Sequence, residues 1–187
     1  MNLPTSLQSL NQNIKPKGYL TIKVQVEKYY EIFVISHAAE RTKSNIYNHN
    51  PQSVTNANYE EIGVLGELAF EILTGIPMDK RIGVKDPYDF KLRDLEIDIK
   101  STETQDKLSV KKTRLYTNPK YYYVLCRVNR LTYENEFLGW ISGDKIKWNG
   151  VEYPTNWKVH KSNLNPMISL ERIMRSKLTL NGAGVWK

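Results

Sequence analysis

The run Leu95-Glu96-Ile97-Asp98-Ile99-Lys100 alternates apolar and charged residues without a break. A period of two is the signature of a strand with one buried face. Leu95, Ile97 and Ile99 point to one side and can pack on a helix, while Glu96, Asp98 and Lys100 point together to the other. Asp98 and Lys100 are therefore neighbours on one face, roughly 7 Å apart. A second candidate strand, Tyr88 to Leu92, precedes a turn at Arg93-Asp94. If the two pair as a hairpin, Asp89 sits across from Asp98.

The surrounding pattern is that of a mixed α/β chain. Thr21 to Val26 reads as a short strand, Lys107 to Lys112 as a third strand after the hairpin, and Glu136 to Ile141 as a further one. Tyr121 to Val128 is apolar almost throughout, as expected of a strand central in a sheet. Helical periodicity runs from Glu27 to about Asn48, with Tyr30, Phe33, Val34, Ile35, Ala38 and Ala39 as its stripe. A second helix is expected from Tyr59 to Thr74, stopped by Gly75 before Pro77. Its segment Val64-Leu65-Gly66-Glu67-Leu68-Ala69-Phe70 is apolar nearly all round, so Glu67 is placed where a carboxylate must be paired, protonated or bound to metal. A helical turn is read near Leu170 to Lys177. Residues 1–17 read as an N-terminal arm and 18–187 as one domain.

Composition narrows the chemistry. The apolar runs are too short to span a bilayer, which points away from a membrane partner. The start Met-Asn-Leu-Pro-Thr-Ser has neither the basic nor the apolar part of a secretory signal. One cysteine, Cys126, suits a reducing compartment and a place in the core, so a cytoplasmic location is expected. That cysteine and the scattered His37, His49 and His160 make a poor zinc site, and a metal here is expected to be a hard cation on carboxylates. The net charge is +7, and Lys107 to Arg130 holds seven basic residues and no acidic one, with Tyr116, Tyr121, Tyr122 and Tyr123 interleaved. Such a strip is either a solvated face beside a buried strand or a surface for nucleic-acid phosphates.

Converging carboxylates suit Mg2+, which keeps several waters among its oxygen ligands. A lysine beside them can orient or deprotonate an attacking water, or offset charge on a transition-state phosphate. Taken together, Gly66-Glu67-Leu68-Ala69-Phe70, Tyr88-Asp89-Phe90 and Asp98-Ile99-Lys100 resemble the PD-(D/E)XK nuclease superfamily, and small phage-borne members of it in particular. The similarity covers roughly residues 27 to 145. Tyr88, not proline, precedes Asp89; Pro87 stands one place earlier, and Asp86 is the fallback for Asp89.

The resemblance implies a restriction-endonuclease-like three-layer α/β core, with a mixed central sheet flanked by helices. It implies a DNA endonuclease using Mg2+, with Mn2+ as a substitute, in a bacterial or phage-infected cell. Glu67, Asp89, Asp98 and Lys100 would be catalytic, and Glu67, Asp89, Asp98 and the Ile99 carbonyl would face the metal. Gln105, Lys107, Lys111, Lys112, Arg114 and Lys120 are the candidates for DNA contact. A homodimer would suit cleavage of two strands. The competing readings are a DNA-binding or regulatory module that has lost catalysis, and an ordinary structural use of each residue: Glu67 in a buried ion pair with a lysine or arginine, Asp89 as a turn cap, Asp98 with Lys100 as a surface pair, and Arg41 with Asn45 either on DNA or as a helix-surface or core-capping pair.

Overall fold

The computed structural model describes residues 21–48, 57–80 and 88–179. The proposed N-terminal arm and the fallback Asp86 with Pro87 lie outside them, as does the side chain of Asn45.

The alternating run forms β3 (Leu95–Thr102), and β2 (Phe90–Leu92) folds back on it through the two-residue turn Arg93-Asp94. Phe90 pairs with Ile97 and Leu92 with Leu95, the register that the hairpin expectation requires. β3 runs parallel to β5 (Tyr122–Val128), with Asp98 opposite Tyr123 and Lys100 opposite Leu125. β6 (Glu134–Ser142) pairs antiparallel with β5 and also with β1 (Ile22–Gln25). The result is a mixed five-stranded sheet in the order β1-β6-β5-β3-β2. β5 is its middle strand, as its apolar run predicts.

Two hydrophobic clusters lie on opposite faces of that sheet. Leu95, Ile97 and Ile99 join Val124, Cys126 and Val128 under three helices: α1 (Glu31–Asn48), α2 (Ala57–Thr74) and α5 (Met167–Thr179). α1 contributes Val34 and Ala38, while Ile35 and Ala39 of the expected stripe are exposed. Tyr121, Tyr123 and Leu125 face the other way, into a cluster with Leu108, Val110, Leu115, Ile146 and Val159.

That second face departs from expectation. β4 (Lys107–Lys111) does not extend the main sheet; it pairs with β8 (Asn156–His160), which pairs with β7 (Val151–Glu152), in a separate three-stranded sheet. Two short helices, α3 (Lys112–Thr117) and α4 (Gly143–Asn149), complete this layer. The cause is topological. Parallel β3 and β5 need a crossover between them, and residues 103–121 supply it as β4 and α3. The tail also carries more structure than its sequence suggests. α5 spans Met167–Thr179 and is docked by a backbone pair between Trp140 and Asn165, at 3.0 and 2.8 Å. Gly139 permits that approach, since a Cβ there would lie 2.7 Å from the Asn165 carbonyl oxygen.

Candidate active site

β2 begins at Phe90, so it covers β3 only as far as Ile97. Asp89 stands at this boundary. Its N–H donates to the Ile97 carbonyl at 2.9 Å, and its Oδ2 accepts from the Ile99 N–H at 2.6 Å. A carboxylate thus takes the place a strand would have held. Within a strand the N–H and C=O of one residue project to the same side. The Ile99 carbonyl therefore faces the edge that Asp89 occupies.

Asp98 lies on the opposite face from the helices and is only 1% exposed. Lys100 Nζ is 2.8 Å from its Oδ1 and 2.7 Å from its Oδ2, but only the contact to Oδ1 has hydrogen-bond geometry. Oδ2 is a buried acceptor with no hydrogen bond. Arg114, from the first turns of α3, brings Nη2 to 3.8 Å from Asp98 Oδ1. In place of the exposed pair of the competing reading stands a buried carboxylate flanked by two cations.

Glu67 reaches the same edge from the helical side. Gly66 allows α2 to sit directly on β3, because a Cβ at that position would meet Ser101 Oγ at 2.0 Å. Both Glu67 oxygens are held by the Arg41 guanidinium, at 2.7 and 2.6 Å, in a fork-on-fork pair. The ion-pair alternative for Glu67 is thus realised, with a partner from α1 rather than an exposed or DNA-facing arginine. One turn before Arg41, His37 is buried and stacked on Phe33 with ring centroids 5.3 Å apart. Its pKa is lowered by burial first and by Arg41 second.

The three carboxylates influence one another. Burial, then the Glu67 and Asp98 charges, push the Asp89 carboxyl well above its ordinary range, against the opposing pull of Lys100 and the Ile99 N–H. The residue as a whole is half-buried, with its carboxyl enclosed by protein. Among the described residues no group of three or more His, Cys, Asp and Glu side chains is arranged to hold a metal ion. With Glu67 tied to Arg41, the donor set at the edge is two carboxylates and a carbonyl. Two carboxylates plus water and substrate oxygens is a usual complement for Mg2+. The crowding of Asp89 by its own burial and by the Glu67 and Asp98 charges fits a cation there.

The predicted DNA contacts and the rest of the basic strip separate into two groups. Lys107, Lys111 and Lys120 are exposed and enter no ion pair with a described residue, and Gln105 is exposed at the head of β4. Lys112 is held by Glu152 at 2.5 Å, Arg127 by Asp106 and Glu136, and Arg130 by Glu103 at 2.8 Å. The strip is thus not one continuous cationic face. Of its tyrosines only Tyr116 is exposed, with Lys147 Nζ 4.5 Å over its ring. Tyr121 and Tyr123 are buried, with burial driving the Tyr121 pKa up to about 12, and Tyr122 stacks on Trp140 at 5.2 Å. Cys126 is a buried core residue. His160 is exposed and accepts the Ser162 N–H at 3.2 Å.

A groove of about 420 Å3 opens beside Lys100, walled by Tyr59 of α2 and by Gln105 and Lys107. Nothing in the sequence pattern links Tyr59 to this place, because the two walls are more than 45 residues apart in the chain and meet only through packing of α2 on β3. Comparison with protein-family models, with curated proteins and with solved structures gives no match in any of the three. Among the described residues no helix is long and apolar enough to cross a membrane.

Proposed function

We propose that the protein is a Mg2+-dependent DNA endonuclease of the PD-(D/E)XK kind, built on a restriction-endonuclease-like core. The observation that carries this reading is the gathering of Asp89, Asp98, Lys100 and the Ile99 carbonyl at the one stretch of β3 that β2 leaves uncovered. A surface carboxylate pair has no need of such an arrangement.

Asp89, Asp98 and the Ile99 carbonyl would hold the cation, with Glu67 acting through water and fixed in place by Arg41. When bound, the cation would supply an acidified water and positive charge beside the phosphate oxygens, with Mn2+ as a substitute. Lys100, as an ammonium, would orient the attacking water by donating to its oxygen. That water's proton would pass to solvent as its oxygen adds to phosphorus, and the ester P–O bond would break with the leaving oxygen taking a proton from water. Asp98 holds the Lys100 ammonium in position at 2.8 Å. Arg114 adds a second cation on the same side, suited to a non-bridging phosphate oxygen. Lys107, Lys111 and Lys120 would meet the flanking backbone.

The test is cleavage of supercoiled and linear DNA, single- and double-stranded, in Mg2+, Mn2+ or EDTA, by wild type, Asp98→Asn and Lys100→Ala. Metal-dependent cutting lost in both variants upholds the reading. DNA binding without cutting, unchanged in both variants, would favour the alternative of a DNA-binding or regulatory module without catalysis. A homodimer and a bacterial or phage-infected cell remain part of the proposal through the resemblance alone.

A further inference from the structure

The groove beside Lys100 offers more than a passage for a phosphate backbone. It is bounded on one side by the Tyr59 ring, 69% exposed, and on the other by Gln105 and Lys107 at the start of β4. Thr102 also lines it, and its hydroxyl accepts the Gln105 backbone N–H at 3.1 Å, which holds the turn that brings Gln105 to the wall. Ser109 Oγ accepts from Asn156 at 2.6 Å, and its hydroxyl proton remains for another partner. Glu103 on the rim is offset by Arg130 at 2.8 Å, so the carboxylate does not repel an anion by itself. The volume of about 420 Å3 lies in the lower part of the ~300–1,000 Å3 range of small-molecule sites, the scale of one nucleotide.

The chemistry of these walls matches the parts of a nucleotide. An exposed aromatic face stacks on any base. A primary amide donates to and accepts from a base edge at once. A lysine ammonium meets the attached phosphate. A base still stacked inside a duplex shows its edge to a groove but not its face, so a nucleotide that reaches the Tyr59 ring must be unstacked.

We propose that this groove is a subsite for one unpaired nucleotide adjoining the scissile phosphate, with its base on Tyr59, its edge on Gln105 and its phosphate toward Lys107. The substrate is then a single strand, an overhang or a flap rather than an uninterrupted duplex. The proposal rests on the hydrolase reading only for the identity of the neighbouring phosphate.

The experiment measures binding of the full chain in EDTA to short DNA oligonucleotides carrying 2-aminopurine, as single strands and as blunt duplexes of equal length. The single strand binds more tightly, and the 2-aminopurine fluorescence falls as the probe stacks. Tyr59→Ala weakens binding by on the order of tenfold and abolishes the fluorescence change, whereas Tyr59→Phe retains both. Gln105→Ala alters the preference among bases at one position. Equal affinity for duplex and single strand, or a Tyr59→Ala variant that binds like wild type, overturns the subsite. The same substrates in Mg2+ separate the two proposals. Cutting that ignores Tyr59 removes the subsite and leaves the hydrolase, while Tyr59-dependent binding without cutting does the reverse. No binding of any DNA removes both.

Discussion

The two halves of β3 share one alternation, yet they pair with different strands and do different work. From Leu95 to Ile97 the strand is paired with β2, meeting β5 only at Ile97, and its charged position, Glu96, forms a cross-strand contact with Lys91 at 3.1 Å. From Asp98 to Thr102 it is paired with β5 alone among the described strands, and its outer edge is met by side chains: Asp89 on the Ile99 N–H, with Glu67 beside it. In the closed half the backbone groups satisfy one another and the charges are ordinary surface residues. In the open half a carboxylate must stand in for a strand, and buried charges accumulate around it. The lesson is that the site is made by where pairing stops.

The sharpest way to break this contrast is to remove charge from the open half. Asp98→Asn and Lys100→Ala should each lower DNA cleavage by on the order of a thousandfold, measured as initial rates in Mg2+. Lys91→Ala in the closed half should leave those rates within about twofold, since an exposed ion pair contributes little. The second test removes the prop on the helical side. Arg41→Ala leaves Glu67 buried without its partner and should cost about 3 kcal/mol in urea unfolding, and adding Glu67→Gln should recover much of it.

A third test reads the crowding of charge directly. The native state raises the Asp89 pKa, through burial and then Glu67 and Asp98, above an unfolded value near ~3.9. The folded protein therefore holds that proton more tightly. The associated stabilisation is complete below the unfolded value and is lost as pH rises through the folded one. Asp89→Asn keeps an oxygen for the Ile99 N–H but carries no charge. In EDTA at neutral pH it should melt about 2–4 °C above wild type, a gain of roughly 1 kcal/mol, and the difference should vanish below about pH 4. Mg2+ should raise the melting temperature of wild type and not of the variant. The smallest effect belongs to the hairpin that ends the closed half. Arg93 holds a positive φ of 59°, and Arg93→Gly should change stability by less than about 1 kcal/mol, with cleavage unaffected.

Much of this contrast is legible in the order of residues. Period-two alternation placed Asp98 and Lys100 on one face, the Arg93-Asp94 turn placed Asp89 across from Asp98, and the apolar surroundings of Glu67 required a partner for it. The pattern was less informative where burial is lopsided or elements are short. α3, of six residues, and α4, of seven, are too brief to show a helical period. The departure of β4 into a second sheet was hidden because a strand's own sequence records that it has a buried face, not which strand covers it.

What the sequence determined by itself is therefore local: the strand face, the hairpin register, the helix that buries Glu67 and the residue types available for chemistry. These follow from side-chain period and turn chemistry over a few residues. Tertiary structure alone decided that Arg41 pairs with Glu67, that Arg114 joins Lys100 around Asp98, and that Tyr59 faces Gln105 across a groove. Each of those meetings joins residues far apart in the chain. Their geometry is set by how α1, α2 and the β4–α3 crossover pack on the sheet, and no short-range pattern carries that information.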